Sequence, residues 1–457
     1  MYSILFFLSM KNFDRFHNKK IAILGYGREG KSTLQFLLHI GVLPINITIL
    51  DWASNAGDLQ DFGGKSIFGS TYLDDLSKFD SIIKTPGISL YHPKILPYKD
   101  KIMTQAQIFF DYYPWKIIAI SGTKWKSTTS TLTYETLKNA GKKVELIGNI
   151  GKPMLDYLNS KNLSSQASEY VVAEISSYML EDLHKTNYLS VLLNIYADHG
   201  DWHQWFENYK AAKLNILQGS KYMLLRDEIS QHYNIDEKKN PDQMLHVFWY
   251  QWKYTYAHGD FFIDGKKIFD DQGILLKWEH NRINICAVLG ICDIMGIAPT
   301  ILKKTLITFK WLPHRMEYLW IFWNIQWIDD AISTTPESTI QAIKTFGNDI
   351  DTIFLGGTDR GYVFDTLIAI IRKYKIRNIV LFPDSGSKIL ATLHPWATSN
   401  IRIFQTSSMK EAVTFAYTYT RRGKICLLST ASPSYSIWKN FEEKGNFFKQ
   451  YIEEISK

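Results

Sequence analysis

Cysteine is scarce in this chain. The three residues, Cys286, Cys292 and Cys426, fall at none of the spacings of a metal knuckle or a redox pair, so they read as packing residues and suit a reducing compartment, the cytoplasm. Long apolar runs are missing too. No stretch approaches the ~18 uninterrupted apolar residues of a membrane span, and no stable membrane insertion is expected. The opening "MYSILFFLSM" is apolar, but it lacks a basic segment before it and a small-residue cleavage site. A signal peptide is therefore not expected, and Met10 serves equally well as a start. Blocks of like charge are absent: 52 Lys and Arg against 45 Asp and Glu leave +7, with the basic residues scattered. Nucleic acid is not an expected partner, whereas an anionic small molecule suits the balance.

What is present is a folding composition, 46% hydrophobic and 21% charged, over 457 residues, enough for about three domains. From Lys20, "KIAILGYGREGKSTLQFLLHIG" passes from a buried-strand pattern through a glycine turn into an amphipathic helix, and "NITILD" follows as a second strand. Further strand-like runs, each with a turn and a helical stretch behind it, are "KIIAIS", "YVVAEIS", "LSVLLNI", "DTIFLGG", "RNIVLFP" and "KICLLST". This alternation predicts an α/β protein with doubly wound sheets. Breaks at "YYPWK" and "KWLPHR" divide it into 1–112, 113–311 and 312–457.

Three constellations carry chemistry. "GYGREG" places Gly25, Gly27 and Gly30 between strand and helix, with Asp51 ending the next strand; backbone amides there can hold a diphosphate, though a ligand-free turn explains the pattern equally well. "KTPGIS" adds a second backbone-rich turn. "SGTKWKSTTS" supplies a lysine for terminal phosphates, Lys126, and hydroxyls for magnesium, Ser127 and Thr128. Its competing reading is an ordinary capped strand-to-helix turn, which Trp125 favours, because a bulky residue is disfavoured where backbone crowds a phosphate. Glu174 emerges at the end of a buried strand, where a carboxylate can hold Mg²⁺. "NIYADHGDWHQWFENYKAAKL" then offers Asp198, His199, Asp201, His203 and Lys213.

Taken together these segments resemble the Mur ligase family. The likeness runs through "GYGREG", "TPGI", "SGTKWKSTTSTL", "GNIGKP", "EISSYMLE", "DHGDWH", "YKAAKL", "EHNRIN", "LPHRME", "DDAISTTPEST", "LGGTDRG" and "KNFEEKGNFF", in the family's order. The resemblance implies an N-terminal Rossmann-like domain for a UDP-sugar, a central P-loop-type ATPase with a parallel sheet, and a C-terminal Rossmann-like domain that closes over an acceptor amino acid. By that likeness Gly27, Arg28, Glu29, Asp51, Thr85, Pro86, Gly87, Asn149 and Ser176 would hold the UDP-muramoyl precursor. Gly122, Thr123, Lys124, Lys126, Ser127, Thr128, Asn281, Arg315 and Asp330 would hold ATP. Ser127 or Thr128 with Glu174 would bind one Mg²⁺, and His199 with a carbamylated Lys213 a second; Lys126, Glu174, His199 and Lys213 are the expected catalytic set. Thr334, Arg360, Ser434 and Phe441 would face the amino acid. The implied enzyme is a monomeric ligase of cell-wall precursor synthesis that adds D-glutamate to UDP-N-acetylmuramoyl-L-alanine through an acyl phosphate. Alternatives are a ligase of the same fold using another amino acid, and a catalytically impaired homologue that only binds nucleotide sugar. An NAD-dependent oxidoreductase, suggested by the glycine turn alone, leaves Lys126, Glu174 and His199 unexplained.

Trp125 stands where the family has glycine, and so do Trp205, Trp278, Trp311, Trp320 and Trp323. Random decay would not exchange one residue type always for one other. The repetition implies glycine at all six in the encoded protein, through UGA codons that one variant genetic code reads as tryptophan and another as glycine. Composition agrees: the chain has 27 glycines, and six more bring it to the ~7% average. Trp202 and Trp438 read as genuine, while Trp115, Trp249 and Trp252 stay unassigned. Two departures bear on the acceptor: Ile332 stands where a lysine is common, and Arg360 replaces lysine while keeping the charge.

Overall fold

The computed structural model describes residues 13–53, 59, 62–113, 115–159, 169–184, 188–196, 200–235, 244–249, 252–276, 279–309, 312–393 and 401–456. The chain forms two compact units, 1–309 and 310–457. The first carries two sheets and the second one, all with helices between strands, so the fold is α/β as the alternation predicts.

The first sheet is wholly parallel. Its strands are β1 (Ile21–Leu24), β2 (Ile47–Asp51), β3 (Lys65–Phe68), β4 (Ser81–Lys84) and β5 (Ile102–Met103), in the order β3-β2-β1-β4-β5. Every residue of β1 is buried, which is why the sequence there is continuously apolar and not alternating. The order of strand addition reverses at β1, whose neighbours are β2 and β4. The turns after these three strands therefore gather at the position where open α/β sheets take ligands.

The second sheet comprises β6 (Lys116–Ser121), β7 (Val144–Gly148), β8 (Tyr170–Glu174), β9 (Leu189–Leu192), β10 (Tyr222–Arg226), β11 (Met244–Phe248), β12 (Tyr254–Ala257), β13 (Asp260–Ile263) and β14 (Lys266–Asp270). Their order is β14-β13-β12-β11-β10-β9-β6-β8-β7. The expected parallel sheet is present from β7 to β12, but β12, β13 and β14 form an antiparallel meander that strand-run reading did not anticipate. Its cause was in the sequence: His258-Gly259 and Asp264-Gly265 are two-residue connections with positive φ at both positions, the twist that antiparallel hairpins require.

In the second unit β15 (Glu317–Phe322), β16 (Ile325–Asp329), β17 (Ile350–Gly356), β18 (Asn378–Phe382), β19 (Arg402–Gln405) and β20 (Ile425–Leu428) follow the order β15-β16-β20-β17-β18-β19, parallel except for the β15–β16 hairpin.

The tryptophans sort by backbone. Trp125 (φ 69°) and Trp323 (φ 52°) lie in the left-handed region, and so does the previously unassigned Trp249 (φ 85°). Trp205 is extended at φ −136° and Trp320 lies within β15, so neither needs glycine on conformational grounds. Trp278 and Trp311 lie outside the described residues. Trp323-Asn324 forms the β15–β16 turn with both φ values positive, and its indole is 58% exposed. Trp323→Gly is expected to raise unfolding stability by up to about 1 kcal/mol, because the left-handed conformation penalises a Cβ by more than the half-exposed indole gains from the Tyr417 ring and the Arg422 guanidinium. Urea titration against Trp205→Gly, for which no gain is expected, checks this.

Candidate active site

The loop of residues 122–125 leaves β6 where the second sheet reverses direction, between β8 and β9. It ends in the 14-residue helix Lys126–Asn139, whose N-terminal amides and dipole favour an anion. The Lys126 ammonium folds over the loop, 2.9 Å from the Gly122 carbonyl and 3.0 Å from that of Thr123. Asn194, fully buried just beyond β9, pins the loop from the other side. Its side-chain oxygen accepts from the Lys124 amide at 2.8 Å, its carboxamide nitrogen donates to the Lys124 carbonyl at 3.2 Å, and its own carbonyl accepts from the Thr123 amide. The Thr123 hydroxyl pairs with the Tyr209 hydroxyl at 2.7 Å and accepts from the Tyr196 amide at 2.9 Å. A carboxamide and a phenol were not singled out from sequence. The available signal was a polar residue directly behind the apolar run "LSVLL".

Trp125 takes its left-handed conformation between this loop and the helix, and its indole stacks on His280 with ring centroids 5.7 Å apart. Burial, helped by the Arg282 charge, pushes the His280 imidazole down to about 4, so the stacked ring is neutral. The next residue, Asn281, is buried in the same helix, Glu279–Ile294. The indole therefore lies against the residue that precedes Asn281, one of the expected nucleotide residues.

Glu174 ends β8 in register with Ile120 and is fully buried. One carboxylate oxygen accepts from the Asn149 side chain at 2.7 Å; the other, Oε2, is buried with no hydrogen-bond partner among the described residues. A buried carboxylate oxygen without a donor is costly unless a cation meets it, so the site fits a divalent metal. Ser127, buried in the first turn of the neighbouring helix, offers a hydroxyl ligand, and Thr128 follows it. Asn149 is thus placed to orient Glu174. Lys213, 1% exposed, donates to the Ser121 hydroxyl at 3.0 Å and the Gly122 carbonyl at 2.9 Å, underneath the loop. His199 lies outside the described residues. Ser176 caps the short helix Ser177–Leu180 by accepting from the Met179 amide.

On the first sheet, "GYGREG" is tight for a steric reason. A Cβ on Gly25 would lie 2.2 Å from the Thr85 hydroxyl, and one on Gly30 would lie 2.0 Å from the Gly25 carbonyl. Gly27 and Gly87 face open space, leaving room for a ligand beside Arg28, Thr85 and Pro86. Asp51 is engaged by main chain: one oxygen accepts from the Tyr26 amide and the other from Ala53 at 2.7 Å. Burial pushes the Glu29 carboxyl up to about 7, against the pull of Arg28 and Lys84.

In the second unit, Asp330, Ser434 and Arg360 follow the carboxyl ends of the adjacent strands β16, β20 and β17. Asp330 accepts from the Ser429 hydroxyl at 2.8 Å and the Met316 amide at 3.2 Å. The Ser434 hydroxyl is buried with no partner among the described residues, and the Arg360 guanidinium lies over the Tyr435 ring at 5.9 Å. Thr334 and Arg315 are half-buried, and Phe441 opens the last helix with its ring edge-on to His314 at 6.0 Å.

A family model described as the Mur ligase middle domain matches residues 120–290. The chain is 30% identical to the UDP-N-acetylmuramoylalanine–D-glutamate ligase of Acetivibrio thermocellus, over 96% of this chain and 97% of that one. It is 28% identical to the protein of the same name from Caldanaerobacter subterraneus subsp. tengcongensis, over 96% and 98%. Among solved structures, the UDP-N-acetylmuramate–alanine ligase MurC of Thermotoga maritima shares the fold with a TM-score of 0.57 at 17% identity, covering 96% of this chain and 100% of that one. MurF from Thermotoga maritima, solved with ADP, gives 0.55 at 14%, covering 95% of each.

Two outcomes follow from this geometry. Lys213→Met is expected to destabilise the first unit by about 1 to 3 kcal/mol, because the Ser121 hydroxyl and Gly122 carbonyl lose a buried donor; urea unfolding reads it. Burial also pushes the Asp330 carboxyl up to about 6 from its ordinary 3.8. A raised folded pKa gives stability that is full below about pH 4 and gone above about pH 6. The difference in Tm between Asp330→Asn and the parent should therefore shift in favour of the variant as pH rises through that window.

Proposed function

The chain belongs to the Mur ligase family and is a C–N bond-forming ligase, and on that premise we propose that it joins D-glutamate to UDP-N-acetylmuramoyl-L-alanine at the expense of ATP. The observation that carries this reading is the pairing of a lysine-bearing phosphate loop with the orphaned Glu174 oxygen at one sheet edge. In the proposed reaction the terminal carboxylate of the precursor attacks the γ-phosphorus of ATP and ADP leaves, giving an acyl phosphate. The amino group of D-glutamate then attacks the acyl carbon, phosphate departs, and the amine gives up a proton as the amide forms. Two anions meet in the first step, so the Lys126 ammonium and the helix N-terminus must offset their repulsion. A divalent cation held by Glu174 and Ser127 or Thr128 would supply further neutralisation of the phosphates. His199 and a carbamylated Lys213 remain the proposed second metal pair. The turns of the first sheet are assigned to the UDP-muramoyl moiety, and Thr334, Arg360, Ser434 and Phe441 to the amino acid.

Ile332, where a lysine is common in the family, supports a second reading in which the acceptor is another amino acid. ADP release measured with D-glutamate, L-alanine and a diamino acid in parallel separates the two. For the reaction itself, Trp125→Gly should release ADP far faster than the protein as written, and Lys126→Ala in that background should lose roughly a hundredfold or more. UGG at codon 125 would refute the glycine reading; UGA there, with codons 249 and 323 read alongside, would support it.

A further inference from the structure

One buried cation outside the phosphate-loop chemistry sits where three segments meet. Lys84, the last residue of β4, is 2% exposed. Its ammonium donates to the Ile88 carbonyl at 2.8 Å and reaches the Thr85 carbonyl at 3.4 Å, drawing the turn Thr85–Ile88 back on itself. Three carboxylates face that charge: Glu29 from within "GYGREG", in the first turn of the helix Arg28–His39, and Glu181 and Asp182 from the segment that follows Glu174 and Ser176. The ammonium also lies 5.1 Å from the Trp202 ring, and the Ser89 hydroxyl donates to the Trp202 carbonyl at 2.8 Å. Trp202 belongs to the short helix Gly200–His203. Its neighbour His203 is fully buried, 3.0 Å from the Ser177 hydroxyl and 4.0 Å from a Glu181 oxygen. Burial drives the Lys84 pKa down and the Glu181 pKa up to about 7, while the opposite charges facing each other pull both back toward the ionised form.

Resting on the ligase reading above, we propose that Lys84 is a positioning residue. It fixes the Thr85–Gly87 turn of the first sheet against the Ser176–Asp182 segment, and so sets where a sugar nucleotide held by that turn presents its carboxylate to the phosphate loop. Lys84 touches neither reactant. Its effect belongs to the binding of one substrate and not to the handling of ATP.

The test is steady-state ADP release in the full-length Trp125→Gly protein, varying the UDP-muramoyl substrate and ATP separately. Lys84→Met should raise KM for the UDP-muramoyl substrate by about tenfold or more while KM for ATP changes less than about twofold. Adding Glu181→Gln to Lys84→Met should recover part of that loss, since the carboxylate stranded by the first change is then neutral. Should Lys84→Met not fold, Glu181→Gln alone is read in the same way, with thermal melting to confirm the fold. Equal shifts in both KM values, strictly additive effects, or a lowered Tm with both KM values unchanged would overturn the assignment and reduce Lys84 to a fold-stabilising ion. A parent protein that releases no ADP with any UDP-muramoyl substrate would instead sink the ligase reading, and this inference with it.

Discussion

The arrangement depends on the main chain turning left-handed at residue 125. Only then does the helix Lys126–Asn139 point its free amides back across the loop while Lys126 folds over the Gly122 and Thr123 carbonyls. Asn194 and Lys213 hold that loop from beside and beneath, so its shape is set by buried hydrogen bonds and not by the side chain at the turn. A side chain there is tolerated by the fold but stands over His280, beside Asn281. The fold thus accepts a bulky residue at this position at a conformational cost that glycine would not carry.

All three sheets solve the same problem in the same way. In each the order of strand addition reverses at one strand, leaving the carboxyl ends of neighbouring strands with turns that splay apart. On the first sheet these are the turns after β1, β2 and β4; on the second, those after β6, β8 and β9; on the third, those after β16, β17 and β20. Buried, continuously apolar strands build the platforms, and the short polar segments behind them carry the charged and hydroxyl groups.

That division explains what could be read in the sequence. The strands "KIAIL", "KIIAI", "YVVAE" and "DTIFLG" were legible because burial on both faces makes them uninterrupted apolar runs. The meander β12–β14 was missed because its half-exposed strands have no such run, although His258-Gly259 and Asp264-Gly265 marked its turns. Lys126 and Glu174 were legible from their place immediately behind strands. Asn194 and Lys84 were not, since each acts through partners more than 60 residues distant or through carboxylates on other segments, which no local pattern records. Asn149, expected to meet the substrate, also donates from its side chain to Glu174, a contact between segments 25 residues apart that no local pattern records.

Asp51 has a further bearing on what the first sheet can hold. In a dinucleotide fold the acid at this place is valued for lone pairs that greet the ribose hydroxyls. Here each of its oxygens already receives a main-chain amide, from Tyr26 and from Ala53. The carboxylate is a rivet of the cradle: two main-chain amides fix its direction, and the lone pair left on each oxygen meets whatever sugar or base donor enters by the glycine turn.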